Sequence, residues 1–148
     1  MSVSRFSHVT IFCTKFDAAL DFYREIVGMD VKDRPMPAGY PRSAIGSFED
    51  GSWCIHFFDA TDEQRAQFAA MPHSRTGVMK HVSLRAEGYV AQKARLVERG
   101  IAFREFTAGD RHLMQFLDLD GMELELTFQP AELPNGPIPW TPGDLARL

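Results

Sequence analysis

Apolar and polar residues alternate along several short stretches of the chain, and such alternation predicts β-strands with one buried face. In the first stretch, Val9 and Ile11 fall on one face while His8 and Thr10 fall on the other. The same pattern occurs in three later stretches, at 53–58, 79–85 and 118–128. Four strands of the fold are therefore expected to have an aliphatic face and a polar face.

Helical spacing of apolar residues marks two segments between these strands. Residues 18–27 follow Asp17, a suitable N-cap residue, and precede Gly28, which suits the position after a C-cap. A second helix is predicted over 89–99 and is closed by Gly100. Each helix follows one of the alternating strands.

Turn and capping residues divide the remaining chain. Asp50-Gly51 predicts a hairpin between strands at 44–48 and 53–58. Thr61 and Gln64 predict a capping box at the start of a short helix that runs to residue 71. Prolines break regular structure in the loop 34–42, which can act as a lid over a binding site.

The two halves of the chain repeat one unit. Ser7–Ile11 matches Lys80–Leu84, and each of these strands is followed by a helix that ends at a glycine. The order strand, helix, strand, strand, strand then occurs twice. The sequence predicts one domain made of a first module at 5–58, a connector at 59–78, a second module at 79–128 and a proline-rich tail at 129–148.

Composition narrows the possible partners and location. A chain of 148 residues with 45% apolar and 24% charged residues is large enough for a packed core. The net charge of −4 and the absence of a basic run argue against nucleic acid or an anionic membrane as a partner. Residues 1–10 lead directly into a strand without a signal peptide, so we expect a cytosolic protein. Cys13 and Cys54 are expected to be reduced, buried residues.

One titratable residue occupies the same position on the polar face of each of the four alternating strands. A lone histidine on a strand is more often a hydrogen-bonded structural residue than a ligand. Four positions related by the repeat are not independent, and three imidazoles with one carboxylate suit Zn, Ni, Co, Mn or Fe(II). If the strands curl into a partly closed barrel, these faces line one cleft. The predicted metal ligands are His8, His56, His81 and Glu125.

Further polar and aromatic residues lie near these positions in the sequence. Glu125, His56 or Glu123 could act as the base in proton transfer, although Glu123 could equally be an exposed strand residue. Arg85 could bind a carboxylate or phosphate of the substrate, or form a salt bridge at the rim. Phe58 and His112 are the other predicted substrate contacts, with Arg104 a weaker candidate near the cleft.

These motifs resemble the vicinal oxygen chelate superfamily, which includes glyoxalase I, methylmalonyl-CoA epimerase, extradiol dioxygenases and the fosfomycin and bleomycin resistance proteins. The resemblance is carried by His8-Val9, Phe22–Val31, His81-Val82 and Phe116–Leu126, where Leu119 replaces the usual proline of the turn. It implies an α+β fold of paired βαβββ modules, forming a curled, partly closed mixed sheet around a metal cleft. It also implies a homodimer and places His8, His56, His81 and Glu125 at the four family metal positions.

Position 56 departs from the family pattern, because proteins similar to glyoxalase I typically have glutamate there and the epimerase has glutamine. Three functions therefore stay open. The first is a metal-dependent lyase or isomerase that transfers a proton on a small oxygenated metabolite. The second is a small Fe(II) extradiol dioxygenase, since His8, His81 and Glu125 alone match the two-histidine, one-carboxylate triad. The third is a drug-binding or antibiotic-resistance protein.

Overall fold

A computed structural model of the chain describes residues 7–70 and 81–139. These residues fall into two compact units, unit 1 up to residue 70 and unit 2 from residue 81. Unit 1 contains β1 (Val9–Cys13), α1 (Phe16–Phe22) with a π-helical turn (Tyr23–Val27), β2 (Asp30–Arg34), β3 (Ser43–Ser47), β4 (Trp53–Asp59) and α2 (Asp62–Ala70). Unit 2 contains β5 (His81–Arg85), α3 (Tyr89–Glu98), β6 (Phe103–Ala108), β7 (Arg111–Leu117), β8 (Glu123–Phe128) and a 3₁₀ turn (Pro130–Glu132).

Each unit has one four-stranded mixed sheet with the same topology. The strand order is β1-β4-β3-β2 in unit 1 and β5-β8-β7-β6 in unit 2. In both sheets the first and last strands of the module pair in parallel, while the other neighbours are antiparallel. The predicted repeat of a βαβββ module is confirmed.

Both sheets are open, with two edge strands each, which corrects the prediction of a partly closed sheet. A strand sequence can show which face is apolar, but closure depends on strand number and stagger. Barrels whose interior is filled by side chains usually need about eight strands, twice the number in either sheet.

The aliphatic faces of the strands carry the helices, as predicted. In unit 1, the Tyr23 and Phe57 rings lie 4.7 Å apart, and Phe57 and Ile55 are fully buried. In unit 2, Tyr89 of α3 contacts Phe128, with 5.7 Å between ring centroids. The polar face of each sheet is therefore left on the side opposite its helix. Within the described ranges, no helix is long and apolar enough to cross a membrane.

The glycine turns and the capping box predicted from the sequence are present in the structure. Gly28 follows the helical segment with a φ of 84°, and Gly51 takes a φ of 79° in the β3–β4 turn. Glycine adopts such left-handed backbone conformations without strain because it has no Cβ atom. At the start of α2, the Thr61 amide donates to Gln64 Oε1 at 2.9 Å, and the Gln64 amide donates to Thr61 Oγ1 at 3.2 Å. The capping box is confirmed.

The predicted N-cap role of Asp17 is wrong. The first helix begins at Phe16, and Lys15 is its N-cap residue. Asp17 instead lies in the first turn and accepts two hydrogen bonds from the Arg42 guanidinium, at 2.7 and 3.2 Å. A partner from a distant loop has replaced the local capping interaction.

The described part of the proline-rich tail is attached to α3. Glu132 Oε2 accepts hydrogen bonds from the backbone amides of Gly88 and Tyr89, at 2.7 and 3.1 Å. These amides belong to the N-cap residue and the first residue of α3, where no earlier helical carbonyl is present to bind them. A carboxylate from the tail therefore caps the helix, and its negative charge interacts favourably with the positive end of the helix dipole.

Replacing Glu132 with alanine is expected to lower the free energy of unfolding by about 0.5–2 kcal/mol, the usual cost of losing a helix cap. Urea denaturation measures the change, and Glu49→Ala in an exposed turn is the matched control. Equal stability of the two variants would show that the Glu132 cap contributes nothing.

Candidate functional site

The polar face of the unit 2 sheet brings three predicted residues, His81, Glu123 and Glu125, together with Ser83. β5 and β8 pair in parallel, with His81 opposite Glu123 and Ser83 opposite Glu125. Because side chains alternate along a strand, all four point away from the aliphatic face that packs on α3. The structure therefore places the predicted residues on one face of the sheet, as the alternation indicates.

Glu125 is held on both carboxylate oxygens. Its side chain is buried, with a residue exposure of 7%. Oε1 accepts a hydrogen bond from Ser83 Oγ at 2.8 Å, and Oε2 accepts one from Gln115 Nε2 at 2.6 Å. Hydrogen bonds of this kind orient a ligating carboxylate and are stronger than those between neutral groups.

His81 lies between the two carboxylates without a hydrogen bond to either. Its Nε2 is 3.7 Å from Glu125 Oε1, and its Nδ1 is 3.5 Å from Glu123 Oε1. Both His81 Nδ1 and Glu123 Oε1 are buried and have no hydrogen-bond partner among the residues that the structure describes. His81 Nε2 and the fixed Glu125 Oε1 lie close enough together to be donors for one divalent ion.

Unit 1 presents a pair of histidines on the corresponding face. The ring centroids of His8 and His56 are 6.3 Å apart, and His8 Nδ1 shares a hydrogen bond of 2.9 Å with Ser7 Oγ. Burial lowers the pKa of His56 below its ordinary value, and the electrostatic interactions with Arg34 and His8 lower it further. His56 is thus neutral at pH 7, the state needed to bind a metal or accept a proton.

In residues 7–70 and 81–139, no three His, Cys, Asp or Glu side chains are close enough together to hold a metal ion. Each unit by itself offers two predicted donors, His8 and His56 in unit 1 and His81 and Glu125 in unit 2. The four-ligand set consequently stays a prediction.

The structure adds Gln115, which the sequence patterns do not predict, and Arg104, which they predict only as a weaker candidate. Gln115 on β7 is opposite Glu125, has an exposure of only 2%, and accepts a hydrogen bond from Arg104 Nε at 2.6 Å. A signal was present, because Gln115 is the one polar residue in the apolar run Leu113–Leu117. A buried amide in that setting needs polar partners.

Aromatic side chains extend from His56 across the polar face of unit 1. The ring centroids of His56 and Phe58 are 4.1 Å apart, and those of Phe58 and Phe12 are 5.9 Å apart. Phe12 also contacts Phe68 of α2, at 6.3 Å, and keeps an exposure of 39%. The predicted substrate contact Phe58 therefore belongs to an aromatic series with an exposed member.

Arg85 is exposed at the end of β5 and shares the face of Ser83 and Glu125. A cavity of about 310 Å³ lies elsewhere in unit 1, beside the loop predicted as a lid, and Phe16, Met36 and Tyr40 contribute to its wall. None of the predicted site residues lines this cavity.

The position predicted for His112, near the cleft, is wrong. His112 is three residues from Gln115 on β7, so the two side chains point to opposite faces of the sheet. His112 is fully buried, its ring lies 4.9 Å from the Tyr89 ring of α3, and its Nδ1 is 3.3 Å from Thr107 Oγ1. It belongs to the helix-facing core of unit 2.

His112 has a polar neighbourhood of its own beneath α3. Its Nε2 lies 3.5 Å from Glu105 Oε2, and that carboxylate also binds Tyr89 Oη, at 2.8 Å, and the Lys93 ammonium. Burial lowers the pKa of His112, the nearby Lys93 charge acts in the same direction, and the attraction of Glu105 only partly opposes them. His112 is therefore a neutral core residue.

Stability is expected to fall as the pH is lowered from about 6.5, because the unfolded chain binds a proton at position 112 that the folded chain excludes. His112→Gln should reduce this dependence between pH 5 and 7. It should not abolish it, since the pKa of His56 is lowered as well. Urea midpoints across that range measure the slope, and an unchanged slope would contradict the assignment.

Both cysteines agree with their predicted roles. Cys13 and Cys54 are free and buried. Burial raises the pKa of the Cys54 thiol to about 11, so the group stays protonated near neutral pH. Cys54 shares the face of His56 but is not activated as a nucleophile.

Two repeated βαβββ modules, each with a helix on one face and polar donor residues on the other, define a class of small-molecule enzymes and binding proteins. The model of the Glyoxalase/Bleomycin resistance protein/Dioxygenase superfamily matches residues 5–129, and the chain belongs to this superfamily. The resemblance seen in the sequence motifs is thereby confirmed.

Solved structures with the same fold include both binding and resistance proteins. TnmS3, an antibiotic binding protein from Streptomyces sp. CB03234, is 24% identical, with a TM-score of 0.63 over 87% of this chain and 98% of that chain. A glyoxylase/bleomycin resistance protein/dioxygenase domain from Frankia sp. EAN1pec is 22% identical, with a TM-score of 0.64 over 86% and 99%. The fosfomycin resistance protein FosX from Listeria monocytogenes is 14% identical, with a TM-score of 0.61 over 86% and 94%. A search of curated proteins gives no significant match.

Proposed function

We propose that the protein is a metal-dependent enzyme that transfers a proton on a small oxygenated metabolite, as a glyoxalase-like lyase or isomerase. One observation carries the proposal. The buried Glu125 carboxylate is fixed on both oxygens, by Ser83 and Gln115, and its Oε1 lies 3.7 Å from His81 Nε2. A buried carboxylate prepared in this way beside an imidazole is the arrangement expected of metal ligands.

The metal donors of the proposal are the four predicted from the sequence, His8, His56, His81 and Glu125. Their nitrogen and oxygen atoms fit Zn, Ni, Co, Mn or Fe(II). When bound, such an ion polarises the substrate's oxygens and stabilises the negative charge that develops as a proton leaves carbon. Arg85, exposed on the same face as Glu125, is available for an anionic group of the substrate.

Geometry favours Glu123 or His56 over Glu125 as the base. Both Glu125 oxygens already accept hydrogen bonds from protein side chains. Glu123 Oε1 accepts none from the described residues, and Arg104 Nη2 lies 3.9 Å from it. Burial keeps His56 neutral, so its imidazole can also accept a proton once it has moved off the metal.

An assay of metal-loaded protein with a methylglyoxal–thiol adduct tests the reaction. We expect isomerisation, and a loss of at least about 100-fold in kcat in Glu123→Gln if Glu123 is the base. His56→Gln tests the other base only at equal metal content, because His56 is also a proposed metal ligand. Glu49→Gln, in an exposed turn, should retain full activity. Oxygen uptake with catechols in place of isomerisation would favour the extradiol dioxygenase alternative.

A drug-binding or resistance protein is the second candidate, and the aromatic series Phe58, Phe12 and Phe68 favours it. Exposed aromatic rings stack on planar ligands, and Phe12 is partly exposed beside Phe58. The fold is shared with an antibiotic binding protein and a fosfomycin resistance protein. Tight binding of a planar aromatic antibiotic to metal-free protein, lost in Phe12→Ala and without turnover, would support this candidate over the enzyme.

We also propose that the protein is cytosolic and forms a homodimer. Size-exclusion chromatography with light scattering measures the oligomeric state, and a mass near 16.7 kDa would contradict the homodimer.

A further inference from the structure

Arg104, Gln115, Glu125 and Ser83 form a row across four neighbouring strands of unit 2. The register places Arg104 opposite Gln115, Gln115 opposite Glu125, and Glu125 opposite Ser83. Hydrogen bonds follow the same order, from Arg104 Nε to Gln115 Oε1 at 2.6 Å and from Gln115 Nε2 to Glu125 Oε2 at 2.6 Å. The row thus connects an arginine on β6 with the proposed metal ligand on β8.

The chemistry of the row gives it a direction. A guanidinium has donors only, so it must face the oxygen of the Gln115 amide. The amide nitrogen then faces Glu125, where an ionised carboxylate can only accept. Gln115 has an exposure of 2%, and an amide this deeply buried loses free energy if either end lacks a partner. Both neighbours therefore select the same orientation of the Gln115 side chain.

The repeat supplies an internal comparison. The equivalent row in unit 1 places Lys32 opposite Ile45, Ile45 opposite His56, and His56 opposite Thr10. Ile45 occupies the place of Gln115 and cannot donate a hydrogen bond. The amide is present in the module whose proposed ligand is a carboxylate and absent from the one whose proposed ligand is an imidazole.

We propose that Arg104 is a positioning residue for Glu125. By donating to Gln115 Oε1, Arg104 fixes the amide so that Nε2 holds Glu125 Oε2, while Ser83 holds Oε1 from the other side. The side-chain orientation can be tested without metal, whereas the consequence for metal binding rests on the proposed function.

The side-chain amide of Gln115 reports its orientation directly in the NMR spectrum of metal-free protein. We expect one of its two protons to be shifted downfield and slow to exchange, with the signal assigned by its loss in Gln115→Leu. Arg104→Met should move the signal towards that of a solvated glutamine, and Arg104→Lys, which keeps a donor, should partly restore it. Arg111→Met removes an exposed arginine of the same sheet and should change nothing. An unchanged Gln115 signal in Arg104→Met would overturn the proposal.

Zinc titration tests the consequence for the site. Arg104→Met and Gln115→Leu should each weaken zinc binding by about 10- to 100-fold, as for other losses of an outer partner of a metal ligand. If Glu125→Ala weakens zinc binding while these two variants do not, Arg104 has no positioning role at the metal. If Glu125→Ala also leaves zinc binding unchanged, the proposed function fails, and the NMR result alone decides whether Arg104 orients Gln115.

Discussion

Replacing Glu125 with alanine is expected to weaken zinc binding by more than about 100-fold, beyond the loss caused by removing an outer partner of a ligand. The side chain is the one carboxylate among the four proposed donors. It is also buried, with both oxygens fixed by Ser83 and Gln115. Competition titration against a zinc chelator measures the affinity. Ser83→Ala, which removes one hydrogen bond and no ligand, should lose only about 10-fold.

The relative size of the two losses in zinc affinity tests whether Glu125 is a ligand. A larger loss in Ser83→Ala than in Glu125→Ala would contradict ligation by Glu125. Folding must be checked in parallel, because removal of a buried acceptor leaves Gln115 Nε2 without its present partner. Circular dichroism and thermal melting of each variant separate loss of the site from loss of the fold.

Replacing Phe57 with alanine is expected to lower the free energy of unfolding by about 3–5 kcal/mol, the usual range for a buried phenylalanine. Phe57 is fully buried under the helical segment, in contact with Tyr23. Packing around it is close, since a Cβ atom added to Gly46 would lie 3.0 Å from the Phe57 ring. The cavity left by alanine could not be filled without moving β3 or the helix.

Urea denaturation measures this loss, and Phe48→Ala is the matched control because Phe48 is 42% exposed. The control should change stability by less than about 1 kcal/mol. Similar losses in the two variants would show that Phe57 is not the packing centre of unit 1.

The alternation of apolar and polar residues was sufficient to predict the two modules and their faces. Ile55, its neighbour Val9 on β1, and Leu124 fall on the helix-covered side, and His56 and Glu125 fall on the other, because a strand exposes alternate residues to opposite sides. Glycines with left-handed backbones marked the helix end at Gly28 and the hairpin at Gly51 for an equally local reason.

The wrong predictions for His112, Asp17 and sheet closure each concern a property that a local sequence pattern does not determine. β7 is apolar on both faces, with Leu113 and Leu117 beside Gln115 and Met114 and Phe116 beside His112, so alternation could not assign a face to His112. Asp17 is bound by Arg42 from a loop 25 residues away, which local capping rules do not include. Sheet closure depends on strand number and stagger and is not encoded in any single strand.

The candidate site was predictable in its residue types but not in its support. The repeat predicted His81 and Glu125. The hydrogen bonds that hold Glu125 come from Ser83, 42 residues earlier in the chain, and from Gln115, 10 residues earlier. Such outer partners follow from the register of β5, β7 and β8, which the sequence alone does not give.

Elemental analysis of protein purified without added metal tests the central proposal most directly. We expect close to one transition-metal ion per chain in the wild-type protein, and a large loss in both His8→Ala and Glu125→Ala with the fold intact. Metal fully retained in both variants, or a wild-type protein that binds no divalent transition metal even when it is supplied, would contradict the proposed metal site.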